Sequence, residues 1–350
     1  MAYTTVNKAK DHFNSVTYTG NGASPRSITG VGFRPDLVWT KDRSDSSTQP
    51  WHDVVRGATY AIRSDSNVAS QNTPAYGYIN SFDSDGYTFQ QGSSDIGRFN
   101  DNSNLYVSFN WKAGNAQGSS NTDGSTNTTY TSVNSTAGFS ISQYDGSGSA
   151  ATIGHGLGVA PKLIIVKELT STDSWVVGHD SLGWGKNMIL NGQNAEYSDS
   201  TIWNGTAPTS SVFSVGSSAS MNASGQTYIA YCFAEKTGYS KFGSYKGNAN
   251  ADGPFIYTGF RPSFVIIKRY NSTKDWFVWD AITSPRNPTN AYGRPNVSTA
   301  WGSYDWLDFV SNGIKIRNTS DGASGNNDSY LYWACGQSLV GTNNVVANAR

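Results

Sequence analysis

Two points in the chain set a histidine directly before an aspartate, His52–Asp53 and His179–Asp180. Those residue types do general-base chemistry when the carboxylate orients the imidazole. Adjacency prevents it here, because neighbours on a strand point to opposite faces. A third aromatic stretch ends in Trp279–Asp280, so the Asp recurs and the His does not. The recurring Asp is expected to cap the turn after its strand by accepting backbone N–H groups. "DSDG" at Asp83–Gly86 resembles the start of a calcium loop, but Ser94 stands where an EF-hand needs its last ligand, a Glu. It is read as a hairpin turn, as is "SNG" at Ser311. "GHGLG" at Gly154–Gly158 leads into a strand, whereas phosphate cradles lie between a strand and a helix. With only Glu168, Glu196 and Glu235 as glutamates, nothing marks a glycosidase carboxylate pair. The chain is therefore expected to be no enzyme and to use no metal or cofactor.

What remains is recognition chemistry. The chain has 11 Trp and 20 Tyr, and several lie beside turn residues rather than in alternating runs. These are Trp184 in "LGWGKN", Trp203 in "TIWNGTAP", Tyr292 in "NAYGRP", and Trp301 and Trp306 in "TAWGSYDWLD". Loop rings flanked by Asn, Asp and Gly stack on sugars or on protein partners while the polar neighbours hydrogen-bond. These five are the candidate ligand-binding residues.

The elements that would position them repeat. "GVGFRPDLVWTKDR" from Gly30, "GLGVAPKLIIVKEL" from Gly156 and "YTGFRPSFVIIKRY" from Tyr257 share Gly, Pro and an apolar run ending in Lys. Upstream of each, a strand ends in Tyr and a Gly turn; downstream comes an aromatic strand ending at Asp53, Asp180 or Asp280. Each copy closes on an aromatic strand, from Leu105, Thr227 or Tyr330. Self-similarity of this kind marks a repeated structural unit. The reading is an all-β fold of three tandem antiparallel β-sandwich units, jelly-roll or lectin-like, at 13–114, 139–236 and 242–338. An N-terminal arm (1–12), a polar linker expected to be extended or mobile (115–138) and a C-terminal tail (339–350) complete the chain. Gly turns the chain into each apolar run and Pro fixes φ where no ladder donor is needed. Leu37 and Trp39 point opposite to Val38, so this strand is expected to be buried on both faces, with Lys41, Lys167 and Lys268 ending the runs in solvent.

Composition sets the limits. Of 350 residues, 14% are charged, and the scarcity of Glu and Lys argues against helices. The formal net charge of zero offers no basic excess for nucleic-acid phosphates. No apolar run is long enough to cross a bilayer as a helix, and no secretory leader is visible, so neither membrane insertion nor signal-directed export is expected. Aligning the closing strands on Tyr106, Tyr228 and Tyr330 places Cys335 opposite Phe233, not Cys232, so the two thiols face different ways and no disulfide is expected. N-x-S/T triplets such as Asn134, Asn204 and Asn271 follow from a composition rich in Asn, Ser and Thr, and no glycosylation is read from them.

The phrases "GFRPDLVWTKDR…HDVVRGA", "GHGLGVAPKLIIVK", "WNGTAPTSSVFSVG", "YSKFGSYKGNANADGPFIYTGFRPSFVIIKR" and "FVSNGIKIR" resemble, in order and over about residues 1–338, a repeat family of marine tailed-bacteriophage virion proteins. The resemblance implies a structural particle protein with lectin-like sandwich units, assembled in the bacterial cytoplasm and resident in the virion. It transfers no catalytic residues. The expected role is a tail-fibre-like, receptor-binding protein whose loops touch host surface polysaccharide. The expected partners are other virion proteins and further copies of itself. The alternative is a capsid decoration protein on the phage head, favoured by the absence of heptads that would trimerise a shaft. A polysaccharide depolymerase is third.

Overall fold

The computed structural model describes residues 4–72, 74–94 and 98–337. The C-terminal tail (339–350) lies outside them, as do the first three residues of the N-terminal arm. The fold is all-β, built from antiparallel sheets, as composition and alternation require.

Three sheets repeat one strand order. In the first, Phe13–Thr19 pairs with Leu105–Trp111, which pairs with Leu37–Asp42, then Pro50–Asp53 and Ile62–Arg63. In the second, Phe139–Asp145, Thr227–Phe233, Leu163–Glu168 and Val176–His179 follow in the same order. In the third the order is Ser240–Lys246, Ser329–Gln337, Arg261–Arg269 and Trp276–Asp280. The central strand of each sheet is thus the apolar run of the repeated phrase. Its registers match across the three: Leu37 lies opposite Trp111, Leu163 opposite Phe233, and Phe264 opposite Cys335. A smaller sheet backs each large one: Arg26–Thr29 with Gly86–Gln90 and Tyr78–Asp83; Ala151–Gly154 with Val212–Val215; Phe255–Tyr257 with Gly313–Ile316, Gly302–Val310 and Thr289–Tyr292. The layering is sandwich-like. The expected hairpins are present, with Asp83 opposite Gly86 and Val310 opposite Gly313.

The alternation of the central strands explains why both their faces are buried. Val38 packs into a peripheral core with Ile79, Tyr87 and Phe89, under the first small sheet. Ile164 and Val166 do the same in the second, and Val265 and Ile267 in the third. The alternate residues, Leu37 and Trp39, Leu163 and Ile165, Phe264 and Ile266, all enter one core shared by the three large sheets. At its centre Trp333 lies 5.5 Å from Trp111, 4.4 Å from Phe233 and 5.3 Å from Phe264 between ring centroids. Each large sheet thus keeps a peripheral core of its own with its small sheet, and the three large sheets also turn their inner faces on one another. Cys335 lies in the shared core and Cys232 in the second peripheral core, both free and buried, as the closing-strand alignment implied.

Two expectations are corrected here. The 115–138 stretch is not a bare linker, because Thr128–Asn134 joins the second sheet beside Phe139–Asp145. Nor do Lys41, Lys167 and Lys268 end in solvent; all are at most 1% exposed. Each shares its strand face with the core residues two and four positions before it, so it emerges at the rim of the shared core. Its ammonium is held there by backbone carbonyls. Lys41 Nζ donates to the carbonyls of Ser47 (2.8 Å) and Ser298 (2.6 Å), and Lys268 Nζ to those of Lys274 (2.5 Å) and Gln193 (3.1 Å). Lys167 Nζ donates to the Glu168 carbonyl at 2.5 Å.

The sheets are also joined in a ring by the turns after these lysines. The Ser47 N–H donates to the Ser298 carbonyl, that of Asp173 to Asn67, and that of Lys274 to Gln193, at 2.9, 3.0 and 2.9 Å. Each bond runs from one sheet's turn to a loop of its neighbour: first to third, second to first, third to second.

Candidate functional site

Of the five loop aromatics, Trp184, Trp203 and Trp306 are buried and Tyr292 and Trp301 half-buried. Trp203 is fully buried and Trp184 is 6% exposed; their rings meet edge-on at 5.3 Å in the second peripheral core. Both lie over the bare backbone of Gly178, where a Cβ would come within 2.5 Å of the Trp184 ring and 2.7 Å of Trp203. Trp306 is 5% exposed in the third peripheral core, and half-buried Tyr292 packs on it at 5.3 Å. Trp301 is half-buried against the shared core, its ring facing the Arg43 guanidinium at 5.9 Å. Turn residues beside an aromatic did not mean exposure, because these loops fold back over the ends of the sheets.

The His–Asp pairs are structural. Register places His179, not Asp180, opposite Leu163, in the position that Asp53 and Asp280 hold opposite Leu37 and Phe264. Asp53 accepts from the Val55 and Arg56 N–H groups, and Asp280 from those of Ile282 and Thr283, which is the expected capping. In the second sheet the cap is the His179 ring, whose Nδ1 accepts from the Ser181 N–H at 3.1 Å. Asp180 instead forms a surface pair with Lys162. Asp53 Oδ2 also takes Arg56 Nε at 2.6 Å and the Tyr231 hydroxyl at 2.7 Å, a buried network across the junction of the first and second sheets. His52 points the other way, its Nδ1 within 2.8 Å of the Ala58 carbonyl, and burial pushes its pKa down to about 3. It stays neutral.

The "DSDG" carboxylates are likewise engaged. Asp85 accepts from the Gly30 and Gly32 N–H groups and so fixes the turn that begins the repeated phrase; Asp83 accepts from Ser81 and Thr88 hydroxyls. Among the described residues no group of three or more His, Cys, Asp or Glu is placed to hold a metal ion. Among them, too, no helix is long and apolar enough to cross a membrane.

The outer face of the third small sheet is different. Its edge strand, Phe255–Tyr257, sends Ile256 into the third peripheral core and leaves Phe255 49% and Tyr257 61% exposed. The Phe255 ring crosses Gly313, where a Cβ would come within 2.9 Å of it. Beside the rings stand two ion pairs, Lys315–Asp252 at 2.6 Å and Arg317–Asp308 at 2.5 Å. Register shows why this face is special. Ile28, Ile153 and Ile256 occupy the same inward place in the three small sheets, opposite Tyr87, Phe213 and Ile314. The outward neighbours are Ser27 and Thr29 in the first, Thr152 and Gly154 in the second, and Phe255 and Tyr257 in the third. The fold therefore does not need rings there. An exposed aromatic surface flanked by charged pairs can stack on the C–H face of a sugar and hydrogen-bond its hydroxyls. Comparing the three "x-Ile-x" segments, with Ile constant and its flanks aromatic only once, is the sequence signal that would have found it.

No curated protein matches the chain at a significant level. One protein-family model does, over residues 8–338, and it takes in all three large sheets as a single domain. By that match the chain belongs to the family described as a domain of unknown function, DUF7483.

Proposed function

We propose that this is a structural protein of a tailed-bacteriophage particle, tail-fibre-like and receptor-binding, which contacts host surface glycan through the Phe255–Tyr257 face. The family resemblance of its repeated phrases supports the particle assignment. The observation that carries the glycan assignment is the pair of outward rings found in only one of three equivalent edge strands. On this reading its partners are other virion proteins and copies of itself, its small sheets play the part of lectin-like layers, and it works by binding rather than catalysis. The engagement of Asp36, Asp53 and Asp280 by backbone N–H donors supports the last point.

The test is adsorption. Purified protein is expected to bind host cells or their extracted polysaccharide and to block infection. The Phe255→Ala/Tyr257→Ala double variant should lose that binding, while its stability stays within about 0.5 kcal/mol per exposed site. A wild-type protein that binds no host polysaccharide, with or without calcium, defeats the reading; a double variant that binds normally moves the site elsewhere.

The capsid-decoration reading is favoured by a different observation, the interlocking of all three large sheets on one core, which makes a compact knob rather than a shaft. Quantitative mass spectrometry of purified particles separates the two, since a shell protein follows the many-fold symmetry of the head and a fibre protein the low symmetry of the tail.

A further inference from the structure

A cleft of about 190 Å³ opens where the first and third large sheets meet, walled by Lys10, Ser15, Arg261, Ser263 and Ile282 among others. That is well beyond the about 10–15 Å³ a single water needs. Its lining carries two cations and no carboxylate. The repeated phrase shows what is unusual in it. In the first copy, Arg34 is consumed by the fold: its guanidinium donates to Asp36 at 3.0 Å, to the Asn115 carbonyl at 2.6 Å and to the Phe82 carbonyl at 3.3 Å. The second copy has Ala160 at that position. In the third, Arg261 is half-buried and, among the described residues, its guanidinium makes no hydrogen bond or ion pair. The Ser15 hydroxyl, on a residue only 6% exposed, is likewise without a partner among them. Asp280, next in the chain to the lining residue Ala281, turns its carboxylate to the N–H groups of Ile282 and Thr283 and makes no ion pair with Arg261.

A cleft lined by an unpaired arginine, a free hydroxyl and a second cation has the chemistry to take a planar oxyanion, which a guanidinium's fork of donors fits in bidentate fashion. Ile282 and Phe13 supply an apolar wall beside it. We infer that this cleft binds the carboxylate of an acidic sugar, a uronate, with Arg261 on the carboxylate and the apolar wall against the ring. The sugar as carrier rests on the glycan-binding reading above, whereas the preference for an anion stands on the cleft itself.

Isothermal titration of the full chain with sodium glucuronate tests it, with glucose and inorganic sulfate as parallel arms. Glucuronate should bind, glucose should not, and added salt should weaken the binding. Arg261→Ala should weaken it by about tenfold or more, the loss expected for one charge-assisted contact, with Arg261→Lys intermediate. Thermal melting should leave Arg261→Ala unchanged, because the side chain holds no part of the fold. The Phe255→Ala/Tyr257→Ala variant should bind glucuronate as the wild type does, so loss of cell adsorption in that variant says nothing against the cleft. Glucuronate binding that Arg261→Ala leaves intact, or no binding of either anion by the wild type, overturns the proposal. Sulfate binding as tight as glucuronate overturns its sugar part.

Discussion

Lys41, Lys167 and Lys268 end three apolar runs yet lie buried at the rim of the shared core, and burial pushes their pKa values down to about 8, about 8 and about 7. Carbonyl acceptors keep them tolerable, since an ammonium offers three donors and Lys41 finds carbonyls at Asp45, Ser47 and Ser298. The sign of the pH effect follows. Between about pH 7 and about pH 10 the unfolded chain holds protons on these lysines that the native chain has released, so stability rises with pH across that window. Lys268→Met should flatten the rise. Urea midpoints at about pH 7 and about pH 9.5 are the measurement, and a variant with the wild-type slope would show that Lys268 is not the source.

At the level of elements, one strand order recurs in three sheets, and what differs is what the loops and edges do. Glycine decides one such difference. Gly178 leaves a bare stretch of strand under Trp184 and Trp203, which is how two large rings from separate loops enter a small peripheral core. Gly178→Ala should cost about 1–3 kcal/mol through overpacking, with the loss read as a lowered denaturant midpoint and perturbed tryptophan fluorescence. A neutral substitution would mean that the rings have room to move. The edge strand Phe255–Tyr257 is the contrary case: substitution there should be thermodynamically quiet, because its rings face outward.

For the whole molecule, the shared core sets cooperativity. Trp333 touches Trp111 of the first sheet and Phe233 of the second, so its loss is felt by all three sheets. Trp333→Ala should cost about 3–5 kcal/mol and lower one common transition rather than one of three. Calorimetry with resolved transitions for separate units would contradict this. For the same reason a fragment covering 13–114 alone should not fold stably, since Trp39, Phe109 and Trp111 would be left facing water.

Much of this was legible in the residues themselves. Composition fixed the all-β class, the threefold phrase located the central strands, and parity placed Leu37, Trp39 and Val38 on opposite buried faces and separated the two cysteines. Parity also held the fate of the lysines, two and four residues from core positions. What it could not show was that the inner face met another sheet rather than water. Whether an aromatic in a loop is exposed, whether His179 or Asp180 takes the cap, and whether Arg261 is spent or free all turn on chain segments far away in sequence. Local pattern dictates which way a side chain points. Only the closing of three sheets on one another dictated what it points at, because burial is a property of the packed whole and not of any segment within it.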